Sequence, residues 1–393
     1  MNWFDFVILL VKVVGVFAFL LVTVLFVIWL ERKVVALMQT RVGPNRVGPF
    51  GLFQSVADGI KLFFKEDVRP SQADRWLYPL APILMMVPAF LSVSVLPFGR
   101  HFGSQNAQLT DLNVGILFIL AMGSLQVYGI VLAGWAAGSN YPLLGGIRSS
   151  AQMISYEIAQ GLSLVGVFML AGTLSAAGIV AAQHGTFEVN LGGLHFPIFP
   201  RWYLIQQLPM FIVFLLAGIA ETNRAPFDLP EAETELVGGY HTEYSGVKFA
   251  LFFLAEYLNM ITVSAVATTL FLGGPDGPIF HNPTWLQWLW PILWFVAKVY
   301  LFLFLFIWLR ATLPRLRFDK LMAFGWKVLI PFALLWIPVT ALMIIQPFPA
   351  GWRRGLGLVA AIVLVLLLLS LLFTREAPEA PEEKRPAPRG SAP

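Results

Sequence analysis

Cysteine is absent from the 393-residue sequence, charged residues make up only 12% of it, and histidine occurs five times. Without thiols the chain forms no disulfide, no thiolate zinc site and no cysteine-ligated iron–sulfur cluster. His101, His184, His195, His241 and His281 never fall three or four apart, so no helix offers a histidine pair to a haem or a metal, and no metal site is expected. Soluble domains carry about 25% charged residues. The scarcity here, beside 58% hydrophobic residues, excludes a water-soluble globule. The net charge of +4 is spread over loops between apolar runs, which argues against nucleic-acid binding. No internal repeat of the inverted-transporter kind is visible. One dinucleotide-like string, Gly355-x-Gly357-x-x-Ala360, opens an apolar run instead of joining a strand to a helix, so it is not read as a nucleotide site.

What remains is apolar sequence in long runs, at about 4–30, 77–98, 112–136, 151–172, 203–221, 247–272, 286–309, 327–345 and 355–373. A span needs roughly 20 such residues to cross about 30 Å of hydrocarbon. The expected fold is therefore an all-α integral membrane protein, a bundle of about nine transmembrane helices over residues 1–373. The first run is too long for a signal peptide and lacks a basic start, so it is expected to be retained as an anchor. Pro82, Pro88, Pro209 and Pro338 fall inside runs, as membrane helices tolerate. Basic residues favour one set of alternate loops: Arg32 to Arg75, then Arg148, Arg224 and Lys248, then Arg310 to Lys327. Only Arg100, Arg201, Arg353 and Arg354 fall on the other side. The N-terminus is expected outside and the long loops and C-terminus in the cytoplasm. Residues 374–393 are polar and Pro-rich and are expected to be a disordered tail.

Three features carry chemistry. Phe50, Phe53, Val56, Ala57, Ile60, Phe63 and Phe64 recur at helical spacing opposite Gln54, Asp58, Lys61 and Lys65. This predicts an amphipathic helix on the membrane surface over about 48–66, either a plain cover or a polar face over an opening into the membrane. The stretch 221–246 gathers Glu221, Asp228, Glu231, Glu233, Glu235 and Glu243 around Arg224. Acidity alone suits a solvated loop, but Phe227, Leu229, Leu236, Val237, Tyr240 and Tyr244 interleave with the acids, as in a folded element docked under a partner. Carboxylates that desolvate together do not all ionise, so some are expected to carry protons. Within the spans, charge is confined to Glu157, Glu221, Glu256 and Lys298, each a functional candidate because each is costly in hydrocarbon. A staircase of titratable groups and static ion pairs, such as Glu256 with Lys298, are both open readings. Asp5 and Lys12 lie near a helix end, where a side chain snorkels to the interface and needs no function.

Several strings also resemble a known family. They are Glu31-Arg-Lys-Val-Val-Ala-Leu-Met-Gln-Thr-Arg-Val-Gly-Pro-Asn45, Gly48-Pro-Phe-Gly-Leu-Phe-Gln54, Lys61-Leu-Phe-Phe-Lys-Glu66, Ser155-Tyr-Glu157, the acidic loop, Ala255-Glu-Tyr257 and Pro314-Arg-Leu-Arg-Phe-Asp-Lys-Leu-Met322. In this order they resemble the H-type membrane subunits of proton-pumping NADH:quinone oxidoreductase, respiratory complex I, across about residues 30–330. The ninth run occurs only in some bacterial members of that family, and the tail is not part of its signature. The resemblance implies a non-redox subunit of an enzyme, inactive alone, in a bacterial-type cytoplasmic membrane. It implies quinone as substrate, no cofactor on this chain, and NADH, FMN and iron–sulfur clusters on partner subunits. Its implied partners are hydrophilic quinone-site and iron–sulfur subunits, small membrane subunits and antiporter-like subunits. By motif, Arg32, Arg41 and Asp58 are implied to line the quinone path, with Arg224, Asp228, Glu231, Glu233 and Glu235 beneath the quinone headgroup. Glu157, Glu221 and Glu256 are implied to form a proton-coupling path continued by Lys298. Two other readings use the same buried carboxylates: a stand-alone proton or cation transporter, and a membrane anchor of an energy-converting hydrogenase-type complex.

Overall fold

The computed structural model describes residues 3–99, 108–191, 194–228, 237–277 and 289–345, with 359–360 and 362–364 near the C-terminus. The expected ninth span and tail thus lie largely outside the described residues. Helix α1 (Trp3–Met38) runs for 36 residues, about 54 Å at 1.5 Å per residue. It outlasts the hydrocarbon, so Glu31, Arg32 and Lys33 ride on its last turns and not in the loop expected to start at residue 31. The segment that follows turns sharply. Gly48, Phe50 and Gly51 have φ of 72°, 54° and 76°, and a Cβ at Gly51 would stand 2.4 Å from the Pro44 backbone. This left-handed backbone cannot be helical. The surface helix expected from residue 48 therefore reduces to a 3-10 turn (Pro49–Gly51) and α2 (Gln54–Phe64).

Next come α3 (Leu77–Val93), α4 (Gly115–Ala136) and α5 (Asn140–Ala171). A tight turn with Gly138 at φ 66° joins α4 to α5. Helix α5 begins eleven residues before its apolar run at 151, because its first turns are buried by packing and not by composition: Pro142, Gly145, Gly146, Ser149 and Ser150 are all buried. A short α6 (Ala176–Ala182) is capped by Ser175, whose Oγ accepts from the Gly178 amide at 3.3 Å. An antiparallel hairpin of β1 (Thr186–Leu191) and β2 (Leu194–Pro200) follows, with Leu191 opposite Leu194. The hydropathy pattern does not anticipate it.

The expected span at 203–221 is split into α7 (Tyr203–Gln206) and α8 (Leu208–Glu221). Pro209 has no amide hydrogen and its ring clashes with the carbonyl four residues back, so the helix restarts there. Gln207 at the break is stapled to a later helix: its Oε1 accepts from Trp336 Nε1 at 2.7 Å, and its Nε2 donates to Thr340 Oγ1 at 3.2 Å. There follow α9 (Gly246–Phe271), α10 (Leu289–Thr312), α11 (Phe318–Phe324), a π-helical stretch (Gly325–Leu329) and α12 (Ile330–Ile345). The last three form one continuous span, Phe318–Ile345.

Among the described residues, six helices are long and apolar enough to cross a membrane, and α3 and α8 are shorter apolar helices. Helix α9 is central, with 67% of its spanning window buried, whereas α1 has 22% and turns most of its surface outward. Hydroxyls on α9 bond back to their own helix, Thr262 to the Leu258 carbonyl and Ser264 to that of Met260, so these hydroxyls are satisfied without water. The ends of α1, α4, α8 and α10 and the starts of α3, α5, α9 and α11 meet at one end of the bundle, together with α2; we call this the loop end. Its stitches include the Asp74 amide to the Ala136 carbonyl at 3.0 Å and Tyr156 Oη to the Leu321 carbonyl at 2.9 Å.

Close approach of helices depends on small residues, since hydrocarbon supplies no hydrophobic drive to association. A Cβ at Gly129 of α4 would meet Met85 N of α3 at 2.9 Å and the Ala81 carbonyl at 3.1 Å. Gly129→Val is therefore expected to force α3 from α4 and lower the thermal midpoint of the purified protein, by an overpacking penalty of about 1–3 kcal/mol. Gly161→Val, where nothing lies within 4 Å of the added Cβ, is expected to leave the midpoint unchanged.

Candidate functional site

The site is built at the loop end around Glu31, which is 5% exposed. Because α1 continues past its apolar run, this carboxylate faces α9 and α10. Tyr257 Oη of α9 donates to Glu31 Oε2 at 2.6 Å, Arg310 of α10 pairs with Oε1, and Arg224 Nη1 lies 3.5 Å from the same oxygen. Arg224 also stacks on aromatic faces, with its guanidinium 4.2 Å from the Tyr257 ring centre and 5.9 Å from that of Phe253. One carboxylate thus serves two arginines and a phenol. A buried charge of this kind is tolerable only because it is paired and hydrogen-bonded.

The turn that delivers Arg224 is fixed from α5. Gln152, fully buried, donates through Nε2 to the Ala220 carbonyl at 2.7 Å and to that of Phe227 at 2.8 Å. Asn223 Nδ2 reaches Ser149 Oγ at 3.1 Å. Asp228 follows, half-buried, and then the chain leaves the described residues: Glu231, Glu233 and Glu235 lie outside them. Where the loop returns it is tied to the start of α3. Tyr244 stacks on Tyr78 with ring centres 4.2 Å apart, Tyr78 Oη donates to the Glu243 carbonyl at 2.6 Å, and Lys248 Nζ donates to Asp67 Oδ2 at 2.7 Å.

Beneath this layer stand the carboxylates of the spans. Glu157 of α5 accepts from Ser124 Oγ of α4. Glu221, ending α8, receives a hydrogen bond from Gln160 and feels the charge of Glu157. Helix α4 makes room for it with Gly123, where a Cβ would lie 3.2 Å from Glu221 Oε1. Glu221 borders an internal cavity of about 40 Å³ shared with Gln126, Gln160, Asn259 and Thr262, space for a water or two. Asn259 bonds to Gln126 across it and stands one turn beyond Glu256 on α9. Glu256, 8% exposed, accepts from Tyr240 Oη at 3.0 Å. Tyr240, on the returning limb of the loop, therefore joins that loop directly to a carboxylate inside the bundle.

The remaining residues expected from sequence are dispersed. Arg32, on the last turns of α1, pairs with Asp58 of α2, and Gln54 Nε2 donates to Asp58 Oδ1 at 3.0 Å. This clasp holds the surface helix to α1 while Phe53, Ile60, Phe63 and Phe64 stay exposed. Arg41 is exposed, with Nε donating to Gln39 Oε1 at 2.7 Å, and joins neither cluster. Lys298 is not beside Glu256. Its Nζ donates to the carbonyls of Leu272, Gly274 and Asp276 at 2.7, 2.9 and 2.7 Å, closing the end of α9 that lies away from the loop end. Glu31, Arg310, Tyr257 and Tyr240 escape sequence reasoning as site residues. In the sequence Glu31 stops an apolar run and opens one of the family-like strings, with nothing to mark its distant partners, and the signal for the cavity is the set of amides inside such runs, Gln126, Gln160 and Asn259.

Together these features define a polytopic α-helical membrane protein whose loop end carries a buried arginine–carboxylate cluster over a set of carboxylates in the bundle. The family model described as NADH dehydrogenase matches residues 11–341, and the chain belongs to that family. It is 54% identical over 390 residues to the H subunit of NADH-quinone oxidoreductase from Frankia alni, covering 97% of this chain and 83% of the relative. It is 52% identical over 392 residues to the protein of the same name from Frankia casuarinae, covering 97% and 84%.

Glu31→Gln is expected to lower the unfolding free energy of the purified complex by about 3–5 kcal/mol, the cost of leaving one member of a buried ion pair uncompensated; an unchanged thermal midpoint would show that the arginines do not need it. Asp58 yields a sign for pH. Partial burial pushes its carboxyl up, but the hydrogen bonds from Arg32 and Gln54 and the charges of Arg32 and Lys61 outweigh this and hold it below its ordinary 3.8. A depressed folded-state value means the clasp is at full strength above the ordinary value and is lost only as pH falls through the lower one. A spin label on α2 is expected to keep one mobility from pH 8 down to roughly 4 and to loosen below; loosening near pH 6 would contradict the assignment.

Proposed function

We propose that this chain is the membrane subunit of a proton-pumping NADH:quinone oxidoreductase that forms the membrane side of the quinone chamber and links quinone reduction to proton movement. The observation that carries this reading is the direct bond from Tyr240 in the loop to Glu256 in the bundle. Through it, charge that changes above the loop end acts on carboxylates below it. The names of the relatives favour this reading over a hydrogenase-type anchor or a stand-alone transporter.

In this reading the loop end docks partner subunits that bring electrons from NADH through their flavin and iron–sulfur clusters, and this chain performs no redox chemistry. The quinone enters from the bilayer past α2, where Arg32 and Asp58 line the way, and its headgroup comes to rest over Arg224, Asp228, Glu231, Glu233 and Glu235. Converting a quinone to its quinol takes up two electrons and two protons. Negative charge that arrives ahead of the protons stabilises protonation of nearby carboxylates, with Coulomb terms of up to about 4 kcal/mol at 4 Å in a medium of dielectric near 20. The Arg224–Glu31–Arg310 cluster holds a fixed positive edge beneath that charge. Glu157, Glu221 and Glu256 then exchange protons through the cavity and its amides toward neighbouring membrane subunits. Lys298, engaged with three carbonyls at the far end of α9, stands outside this path. The loop end faces the cytoplasm and the N-terminus of α1 faces outward, in keeping with the distribution of basic residues.

Glu157→Gln and Glu256→Gln, made in the complete complex, are expected to lower both quinone reductase activity and proton pumping with the complex still assembled. Near-normal turnover and pumping in both variants would overturn the coupling role. Tyr240→Phe separates the link from the carboxylate itself: it is expected to lower pumping per electron pair while Glu256 remains in place.

A further inference from the structure

At the end of the bundle away from the loops, a groove of about 310 Å³ opens between α1, the segment after α3 and the start of α10. Its walls are Gly15, Phe19, Phe98, Phe295 and Val296, almost wholly apolar, with Lys12 at its rim. Open space lies beside Gly15, where nothing comes within 4 Å of a Cβ built there, so a larger side chain at this position extends into the groove. The groove lies beside the outward face of α1, where Val11, Val14, Phe17 and Val22 are all exposed, a surface suited to hydrocarbon. Lys12 is the sole basic residue before Arg32. It stands six residues beyond Phe6, where the candidate span begins, or about 9 Å along the helix. From that depth a lysine stem reaches the headgroup layer while its methylenes stay in hydrocarbon.

We propose that this groove is a phospholipid site: one acyl chain lies along Gly15, Phe19 and Phe295, and the phosphate of an anionic headgroup pairs with the Lys12 ammonium. Charge complementarity chooses the occupant. An apolar slot whose mouth carries one cation among the described residues, Lys12, matches a lipid that is apolar along its length and anionic at its tip, and an ammonium with three donors binds a phosphate while keeping a contact within its own chain. The site lies away from the loop end and is independent of the chemistry proposed there.

The test uses the whole complex in membranes containing photoreactive-acyl phosphatidylglycerol or, in parallel, photoreactive-acyl phosphatidylcholine, with labelled peptides mapped by mass spectrometry. The expected result is label on the peptides carrying Gly15 to Phe19 and Ile292 to Val296, several-fold stronger with phosphatidylglycerol. Lys12→Gln is expected to reduce the phosphatidylglycerol label to the phosphatidylcholine level. Gly15→Leu, which fills the slot, is expected to remove both labels with assembly and quinone reductase activity intact. Absence of label at these peptides in the unaltered complex, equal labelling by the two lipids, or cross-linking of the groove to residues 100–107 or to another polypeptide in place of lipid would each overturn the proposal.

Discussion

A carboxylate inside an oily bundle must be answered by partners that it cannot lose, and Glu31 meets that requirement for the whole loop end. It binds groups from α9 and α10 and from the turn after α8, so three separate stretches of chain converge on one side chain of α1. Water would weaken each of these contacts to a fraction of a kcal/mol. Buried, they become obligatory, because removing any one strands the others. Arg224 is in this way held inside the bundle while Arg310 reaches in from an exposed position on α10, and the loop that carries Arg224 is anchored before its acidic portion begins.

The same constraint sets the style of the rest of the structure. Polar side chains in the spans either bond back to their own helix, as Thr262 and Ser264 do, or meet one another across a cavity, as Gln126 and Asn259 do. Glu157, Glu221 and Glu256 each accept a hydrogen bond from a neutral group: a serine, a glutamine and a tyrosine. A carboxylate met by a neutral donor changes protonation at lower cost than Glu31, which is locked between two cations. The loop end thus separates a charged frame around Glu31 from a set of carboxylates met by neutral donors.

The crossings were legible in the sequence because hydropathy reports them directly, and the charged residues inside the runs pointed to Glu157, Glu221 and Glu256. Boundaries were less legible. Hydropathy ends at the first charge, whereas α1 continues through Glu31 to Met38 and α5 starts at Asn140, both carried by packing against neighbours. The surface helix was visible in its periodicity, but its start was masked by backbone turns at Gly48 and Gly51 that periodicity does not record. The Glu31 cluster was illegible for a different reason: its partners Tyr257 and Arg310 lie 226 and 279 residues away, and no local pattern links them. Lys298 and Glu256, drawn together by their opposite signs, are held toward opposite ends of α9 by the turn at Gly273 and Gly274 that brings three carbonyls to the lysine.

That lysine has a corollary for how the bundle is closed at its far side. An ammonium holding three backbone oxygens acts as the rivet at the terminus of the central helix, and the rivet gives up one of its fastenings if it parts with a hydrogen. The finish of the central helix thus hangs on one side chain keeping all three of its donors.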